Sequence, residues 1–266
     1  MTNRTGRVAV VGALVAVIAL GCSKTETTAP ATRPPRTTTT TAVSTCEDDP
    51  VYRDDDIPAG HALLDDSQLP SGDWAGTSAC RWSTSGQDLL SVPECAALTG
   101  DPSVSEEQRS GYARKTWVEA NGELRLDQRS ELYLSRRKPE LVQVAFTSPG
   151  VADCFQAAMR AQAAHVPGTT ITDIDVTRYD VGLSAAELGL DFVGGVSIAM
   201  TVESDGKRVP MAIRVLSLRV GGGLVTMTVT GEGSRGTLQD LDALDLVATV
   251  RAAAQSFRAS FGLGPP

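Results

Sequence analysis

Residues 208–232, "RVPMAIRVLSLRVGGGLVTMTVTGE", hold two apolar runs on either side of three consecutive glycines. The first run (208–220) and the second (223–232) have the composition and length of β-strands. Gly221-Gly222-Gly223 suits a tight turn because glycine adopts the backbone angles that hairpin turns require. This stretch predicts an antiparallel hairpin, and the fold class follows from extending it in both directions.

Two runs that precede this hairpin also predict strands. Residues 170–179 (TITDIDVTRY) and 195–204 (GVSIAMTVES) are rich in β-branched side chains. The segment 204–207, Ser-Asp-Gly-Lys, suits a tight turn into the hairpin.

An earlier pair of runs predicts another hairpin. Residues 123–135 (ELRLDQRSELYLS) alternate in part, with Leu132 and Leu134 on one face. Residues 140–148 (ELVQVAFTS) carry apolar side chains at every second position, which is the period of a half-buried strand.

Helices are predicted after each group of strands. Ser148 and Pro149 are typical of a helix start, and Pro167-Gly168 of its end, so we expect a helix to about Val166. The final helix begins at Thr237, where Asp240 completes a capping box. Its expected apolar stripe comprises Leu241, Leu244, Val247, Val250, Ala254, Phe257 and Phe261.

The order strand, strand, helix thus occurs twice and suggests a ββα pseudo-repeat. It predicts an α+β fold, in which a largely antiparallel sheet has helices packed on one face. Residues 46 to about 121 are rich in Gly, Pro, Ser and Asp and are expected to be irregular.

The N-terminus has the layout of an export signal. Arg4 and Arg7 precede an apolar segment of about 13 residues, Val8 to Leu20, which is too short to span a bilayer. Gly21 and Cys22 follow it. We expect cleavage before Cys22, acylation of this cysteine, and attachment to membrane lipid on the extracytoplasmic face.

This interpretation divides the chain into three parts. Residues 1–21 are the signal peptide. Residues 22–45 form a lipidated Cys22 with a disordered Thr/Pro-rich tether, because they contain too little apolar surface to fold. Residues 46–266 form the extracytoplasmic domain.

The chain is acidic, with 24 Lys and Arg against 32 Asp and Glu and a formal net charge of −8. Such a surface repels phosphate backbones and anionic headgroups, so nucleic acid is not expected as a partner.

Four cysteines remain once Cys22 is assigned to lipid, an even number in an exported chain. Two disulfides are expected, and of the three pairings we favour Cys46 with Cys80 and Cys95 with Cys154. A zinc site is disfavoured because no Cys-x-x-Cys occurs and His61 and His165 are isolated. The acidic run 46–56 leaves calcium as an alternative, through Asp48, Asp49, Asp54, Asp55 or Asp56.

No motif indicates catalysis or a cofactor. GEGSRG (231–236) matches the dinucleotide pattern, but no strand follows the helix after it. SRRK (135–138) has the Ser-x-x-Lys spacing of penicillin-recognising enzymes without their accessory motifs. We therefore expect no cofactor and no enzyme activity.

Three tryptophans are the candidates for a ligand groove: Trp74, Trp82 and Trp117. They either pack beside the disulfides or offer a stacking surface for a glycan, peptide or lipid fragment.

Several segments together resemble a group of actinobacterial lipoproteins. They are IALGC (18–22), the Thr/Pro tether, ALLDDSQLPSGDW (62–74), ACRW (79–82) and VQVAFTSPGVADCFQAAM (142–159). These lipoproteins are similar to the extracellular sensor domains of mycobacterial transmembrane Ser/Thr kinases. The resemblance implies an antiparallel sheet with helices, a surface groove, two disulfides and recognition of an envelope ligand, with no catalytic residues to carry over.

The expected function is that of a membrane-anchored lipoprotein with a non-enzymatic, sensor-like or ligand-binding domain. The alternative is a structural or assembly factor that docks onto another envelope protein.

Overall fold

The computed structural model describes residues 57–79, 92–99, 109–164, 166–204 and 206–264. The expectations for the signal peptide, Cys22, the tether, Cys46, Cys80, Trp82, His165 and the acidic run lie outside these residues. In the part of the chain that is described, no helix is long and apolar enough to cross a membrane.

The described residues form a seven-stranded antiparallel sheet in the order β1-β2-β3-β7-β6-β5-β4. The predicted strands from residue 170 to 232 are confirmed, as are both turns between them. The strands are β1 (Trp74–Ala79), β2 (Arg109–Glu119), β3 (Leu124–Tyr133), β4 (Thr169–Tyr179), β5 (Phe192–Ser204), β6 (Lys207–Val220) and β7 (Gly223–Glu232).

Helices connect and cover these strands, so the α+β class is confirmed. They are α1 (Ile57–His61), α2 (Pro93–Thr99), α3 (Arg137–Thr147), α4 (Val151–Ala163), α5 (Ala185–Leu188), α6 (Leu238–Asp242) and α7 (Leu246–Ser260). Short 3-10 turns occupy Asp66–Gln68 and Gly233–Arg235.

The sheet consists of two meanders that meet in its interior. Strands β1 to β3 start from one edge, α3 and α4 carry the chain to the other edge, and β4 to β7 return until β7 pairs with β3. The first meander thus has three strands and the second four, and the ββα pseudo-repeat stays a prediction.

Helices lie against both faces of the sheet, where one face was expected. The reason is visible in β6, whose alternate residues enter two different cores. Met211, Ile213 and Val215 belong to the first, and Ala212, Leu216 and Leu218 to the second. A strand that is apolar on both faces must be covered on both.

The first core, here the disulfide core, lies between β4, β5 and β6 and helices α2, α3 and α4. Cys95 of α2 and Cys154 of α4 are fully buried in it and form a disulfide bond, so this predicted pairing is confirmed. Phe146, Phe155 and Phe192 pack edge to face beside it.

The second core, here the tryptophan core, lies on the opposite face under α7. Trp117 of β2 packs there with Leu126 of β3, Met227 of β7 and Phe257 of α7, all of them fully buried. Gln128 fixes the segment after α1 to this face, because its side chain accepts from the Leu64 amide at 2.8 Å and donates to the Ala62 carbonyl at 2.9 Å.

The predicted strand at 140–148 is wrong, because residues 137–147 form helix α3. Val142, Val144 and Phe146 satisfy a period of two, but Val142, Ala145 and Phe146 also satisfy the helical spacing of three and four. The helical set is the buried one, and Val144 is exposed.

The next helix also starts later than predicted. Ser148 ends α3 rather than capping α4, and its hydroxyl accepts from the amide of Gly150, the residue before α4. Leu134, expected on one face of a strand with Leu132, lies outside β3, which ends at Tyr133, and is 79% exposed.

Two strands and one helix break were not predicted. Strands β1 and β2 fall in the region expected to be irregular. The C-terminal helix is divided into α6 and α7, with Thr237 capping the first as predicted and Asp245 capping the second. This break changes the helical phase, so Val247 and Phe261 of the predicted stripe are exposed.

Candidate functional site

The face of the sheet that carries the disulfide core is apolar on β4, β5 and most of β6. It is mainly polar on β2, β3 and β7 and at Ser217 of β6. We call the polar part the half-face. Its side chains are Tyr112, Arg114, Thr116, Arg125, Asp127, Arg129, Glu131, Ser217, Thr226, Thr228, Thr230 and Glu232. Most of them are buried, which is unusual for so many charged groups in one layer.

Asp127 is the centre of the ion-pair network on this half-face. Arg114, 2% exposed, donates to its Oδ2 from Nε at 2.7 Å and also from Nη2, and the Thr116 hydroxyl donates to the same oxygen at 2.6 Å. Three donors on one carboxylate oxygen compensate for its burial.

A second ion pair lies further along β3. Arg129 Nε lies 3.1 Å from Glu131 Oε2, and the Tyr133 hydroxyl donates to the same carboxylate at 3.2 Å. Arg114 and Arg129 face each other across β2 and β3, where two positive charges repel. Asp127 and Glu131 reduce this repulsion because each pairs with one of the two arginines.

Arg125 is less completely paired than Arg114. Its Nη2 lies 3.8 Å from Asp127 Oδ2, the oxygen already held by Arg114, and its side chain is 24% exposed. Burial lowers the pKa of this guanidinium below its ordinary value, although the charge of Asp127 opposes the effect. Thr230 faces it directly across β3 and β7.

Two glutamates flank Arg125 and Thr230. Glu232 follows Thr230 along β7, and its amide donates to the carbonyl of Glu123 at 2.9 Å, which brings the two residues side by side. Burial, together with the negative charge of Glu123, raises the pKa of Glu232 to about 7, while Arg125 opposes the increase. Protonated and ionised Glu232 are therefore both present near neutral pH.

Several buried polar atoms of the half-face lack a hydrogen-bond partner among the described residues. They are Arg125 Nε, Ser217 Oγ and Thr230 Oγ1. Buried donors are almost always satisfied by protein, water or ligand. Arg125 and Thr230 thus have unused hydrogen-bonding capacity. Together with Glu232 and with Glu123, whose carboxylate accepts from the Ser234 hydroxyl, they form a group that we call the Arg125 subsite.

The subsite offers both donors and acceptors with little net charge. The guanidinium donates, the glutamate oxygens accept, and the threonine hydroxyl does both. The half-face and the adjacent Glu123 together carry three guanidinium groups, those of Arg114, Arg125 and Arg129, and three carboxylates, those of Asp127, Glu131 and Glu123. These formal charges balance when Glu232 is protonated. Such a surface suits a ligand that presents hydroxyl groups more than one that carries a strong charge.

The two described tryptophans do not form a groove together. Trp117 is fully buried, and its indole donates to Asp66 Oδ1 at 2.8 Å, so its ring is a core element. Lys115 donates to the same oxygen at 2.9 Å. The hydrogen bond from Lys115 has the largest effect on the Asp66 carboxylate and the bond from Trp117 the next largest, and both lower its pKa below the ordinary value. Trp74 is half-buried and donates to the Pro70 carbonyl at 2.9 Å.

The remaining motifs lie apart from the half-face, except that Glu232 of GEGSRG belongs to it. His61 is exposed at the end of α1. No group of His, Cys, Asp and Glu side chains within the described ranges could hold a metal ion. GEGSRG connects β7 to α6, and β7 runs antiparallel to both of its neighbours, unlike the strand of a dinucleotide site. A Cβ on Gly231 or Gly236 would overlap the carbonyl oxygens of Arg235 or Pro210, which explains two of its glycines.

Sequence reasoning missed the half-face because β2 was not recognised as a strand. The signal was present in RSGYARKTWVE (109–119), where the strand-forming residues Tyr112, Thr116 and Val118 share one face with Arg114 at a period of two. Charged side chains on the buried face concealed it, since strand prediction expects polar residues to face solvent.

Comparison with known proteins adds no constraint. No protein-family model matches the chain, and no curated protein sequence matches it either. The function is therefore argued from the geometry of the half-face and from the N-terminal sequence.

Proposed function

We propose that this protein is an extracytoplasmic, lipid-anchored, non-enzymatic domain that binds a neutral, hydroxyl-rich ligand of the cell envelope, such as a glycan. The observation that carries the proposal is the Arg125 subsite, where a partly exposed guanidinium and a buried threonine hydroxyl have unused donors between two glutamates. A sugar diol meets these requirements because each hydroxyl both donates and accepts.

The charge balance supports a neutral ligand over a phosphorylated one. A phosphate would gain from Arg125 but would be repelled by Glu123 and, above pH 7, by ionised Glu232. A hydroxyl group avoids this repulsion and uses the glutamates as acceptors. We therefore expect neutral oligosaccharides to bind more tightly than their phosphorylated counterparts.

The test is a thermal-shift and calorimetric titration of residues 22–266 with Cys22→Ser, using neutral cell-wall oligosaccharides. At 100 times its dissociation constant, a ligand adds about 2.7 kcal/mol to the free energy of unfolding. Arg125→Gln and Thr230→Val should each weaken binding by about tenfold, because each removes a hydrogen bond to the ligand.

The matched control is Arg208→Gln, which removes an arginine that pairs with Asp173 at an exposed site on the β5–β6 turn. It should bind as the wild type does. If phosphorylated oligosaccharides bind more tightly than neutral ones, or if Arg125→Gln binds normally, the proposed subsite is wrong.

The proposed anchor is supported by the short apolar segment Val8 to Leu20, followed by Gly21 and Cys22. Export also agrees with the buried disulfide between Cys95 and Cys154, since structural disulfides form in oxidising compartments. Metabolic labelling with a palmitate analogue should mark the wild type and leave Cys22→Ser unmarked. Equal labelling of both proteins would exclude acylation at Cys22.

A further inference from the structure

Asparagine is almost absent from this chain. The sequence holds two, Asn3 and Asn121, and Asn121 is the one that the structure describes. Gly122 follows it directly. In an asparagine-glycine pair the backbone nitrogen of the glycine can reach the side-chain carbonyl of the asparagine, because glycine has no Cβ to obstruct the approach. Whether the two groups react depends on the turn that holds them.

Asn121 and Gly122 lie in the turn between β2 and β3. The Gly122 amide donates to the carbonyl of Glu119 at 2.7 Å and closes the turn. Gly122 has a φ of 77°, and a Cβ built on it would meet no atom of the described residues within 4 Å. Asn121 is exposed. The pair is therefore open to water and free of packing against other side chains.

The backbone also positions the Asn121 side chain. Its Oδ1 accepts from the amide of Glu123 at 2.9 Å, which forms an Asx turn. The ring closed by this hydrogen bond contains the Gly122 nitrogen, so the side-chain carbonyl is held close to the peptide bond that follows Asn121. The same hydrogen bond polarises the carbonyl, because a fixed N–H stabilises negative charge that develops on the oxygen.

We propose that Asn121 is a site of spontaneous deamidation through a cyclic imide. The Gly122 nitrogen attacks Cγ of Asn121, and an N–Cγ bond forms while the bond from Cγ to Nδ2 breaks. The proton of the Gly122 amide leaves with Nδ2, so one molecule of ammonia departs. Water then opens the imide at either of its two carbonyls. The products are aspartate and isoaspartate at position 121.

The fold slows this reaction without preventing it. The Gly122 N–H must leave the Glu119 carbonyl before its nitrogen can attack, which the unfolded chain does not require. Only a local opening is needed, because the last printed β2–β3 pair before the turn is Val118 with Arg125 and Asn121 lies beyond it. We therefore expect Asn121 to react in the folded protein, at a lower rate than in the denatured chain.

Deamidation changes the end of the hairpin in two ways. Each product carries a negative charge that Asn121 lacks, two residues before Glu123. Isoaspartate also adds one methylene to the backbone of the turn, which disturbs the hydrogen bond from the Glu123 amide. Glu123 and Arg125 belong to the Arg125 subsite, so an effect on ligand binding rests on the proposed function. The deamidation itself does not.

The experiment incubates the purified full-length chain at several pH values, with and without denaturing urea. Peptide mapping by mass spectrometry measures the fraction of the peptide around residue 121 in which an oxygen has replaced the amide nitrogen. We expect conversion of the folded protein at mildly alkaline pH. Its rate should rise by up to about tenfold for each pH unit, because the attacking nitrogen must first lose its proton. The sample in urea should convert faster.

Two variants identify the reacting groups. Asn121→Gln keeps a side-chain amide but requires a larger ring, so it should lose the conversion. Gly122→Ala places a Cβ beside the attacking nitrogen and should slow the conversion in urea by about tenfold or more, since small displacements of reacting atoms cost that much rate. The measurement in urea does not depend on whether this variant folds.

The matched control is Gly221→Ala, at the β6–β7 turn. Gly221 also has a positive φ, of 55°, and open space around its Cβ position among the described residues. It should leave the conversion at Asn121 unchanged, both in urea and in the folded protein.

The inference is overturned if the folded protein keeps the Asn121 amide while the sample in urea loses it, because the turn then protects the side chain. It is also overturned if neither sample converts, or if Gly221→Ala slows the conversion in urea as much as Gly122→Ala does. No ligand is added in these measurements, so their outcome is independent of whether the Arg125 subsite binds a glycan.

Discussion

Gln128 is a single buried amide that connects the sheet to the segment after α1. It is fully buried and holds the Leu64 amide and the Ala62 carbonyl. We predict that Gln128→Leu lowers the free energy of unfolding by about 3 kcal/mol, because it leaves two buried backbone groups without partners. Urea denaturation measures this loss, and the exposed Gln239→Leu should change stability by less than about 0.5 kcal/mol. Equal stabilities would show that the amide bonds contribute little.

Glu232 makes stability depend on pH in an unusual direction for a carboxylate. Its folded-state pKa of about 7 is above the ordinary value of 4.5, so the folded protein keeps a proton that the unfolded chain loses. This contribution is complete below pH 4.5 and is lost as pH rises to 7.

We predict that Glu232→Gln removes this loss. Between pH 4.5 and 7.5 the wild type should lose about 2 kcal/mol relative to the variant, a figure already reduced for the solvent screening of a half-buried group. Urea titrations at both pH values measure it. The control is Glu94→Gln, which removes an exposed carboxylate on α2 and should show the wild-type pH dependence of the free energy of unfolding. If Glu232→Gln shows that same pH dependence, the prediction is wrong.

At the scale of elements, the disulfide attaches α2 to α4. Cys95 and Cys154 are separated by 59 residues, and both are fully buried. We predict that Cys95→Ala with Cys154→Ala lowers the free energy of unfolding by about 4 kcal/mol, mainly because the unfolded chain gains freedom. Hydrogen exchange should increase most in Pro93–Thr99. A loss below about 1 kcal/mol would show that packing alone holds α2.

The break between α6 and α7 depends on a new helix cap. Asp245 Oδ1 accepts from the Ala248 amide at 3.4 Å and starts α7 in the phase that buries Leu246, Val250 and Phe257. We predict that Asp245→Ala lowers stability by about 1 kcal/mol in thermal denaturation, and that Asp245→Asn restores most of it. If Asn does not restore stability, the effect is not that of a cap.

The same elements indicate how far the sequence could predict the fold. Strands β5 to β7 were predicted because β-branched runs and glycine turns agree there. Residues 140–148 were not, because Val142, Val144 and Phe146 fit both periods and only packing against β5 selects the helix. Strand β2 was missed because its buried face is charged. The Arg125 subsite depends on the pairing of β3 with β7, which one sequence does not reveal.

At the scale of the whole molecule, the two cores share strands β3, β6 and β7. We therefore predict a single cooperative unfolding transition. Native-state hydrogen exchange should give the amides of Leu126, in the tryptophan core, and Ile198, in the disulfide core, the same free energy of opening. Values that differ by more than about 1 kcal/mol would divide the domain into separate units.

The pairing of β3 with β7 sets the order in which the sheet is completed during synthesis. A chain that emerges from its N-terminus presents β1 to β3 first, and the open side of β3 must wait for a strand that begins almost 100 residues later. During that interval a row of unpaired amides and carbonyls is available to any other extended chain. The nascent three-stranded unit is thus the stage at which this protein is most exposed to misassembly, and the stage at which a chaperone would have most effect.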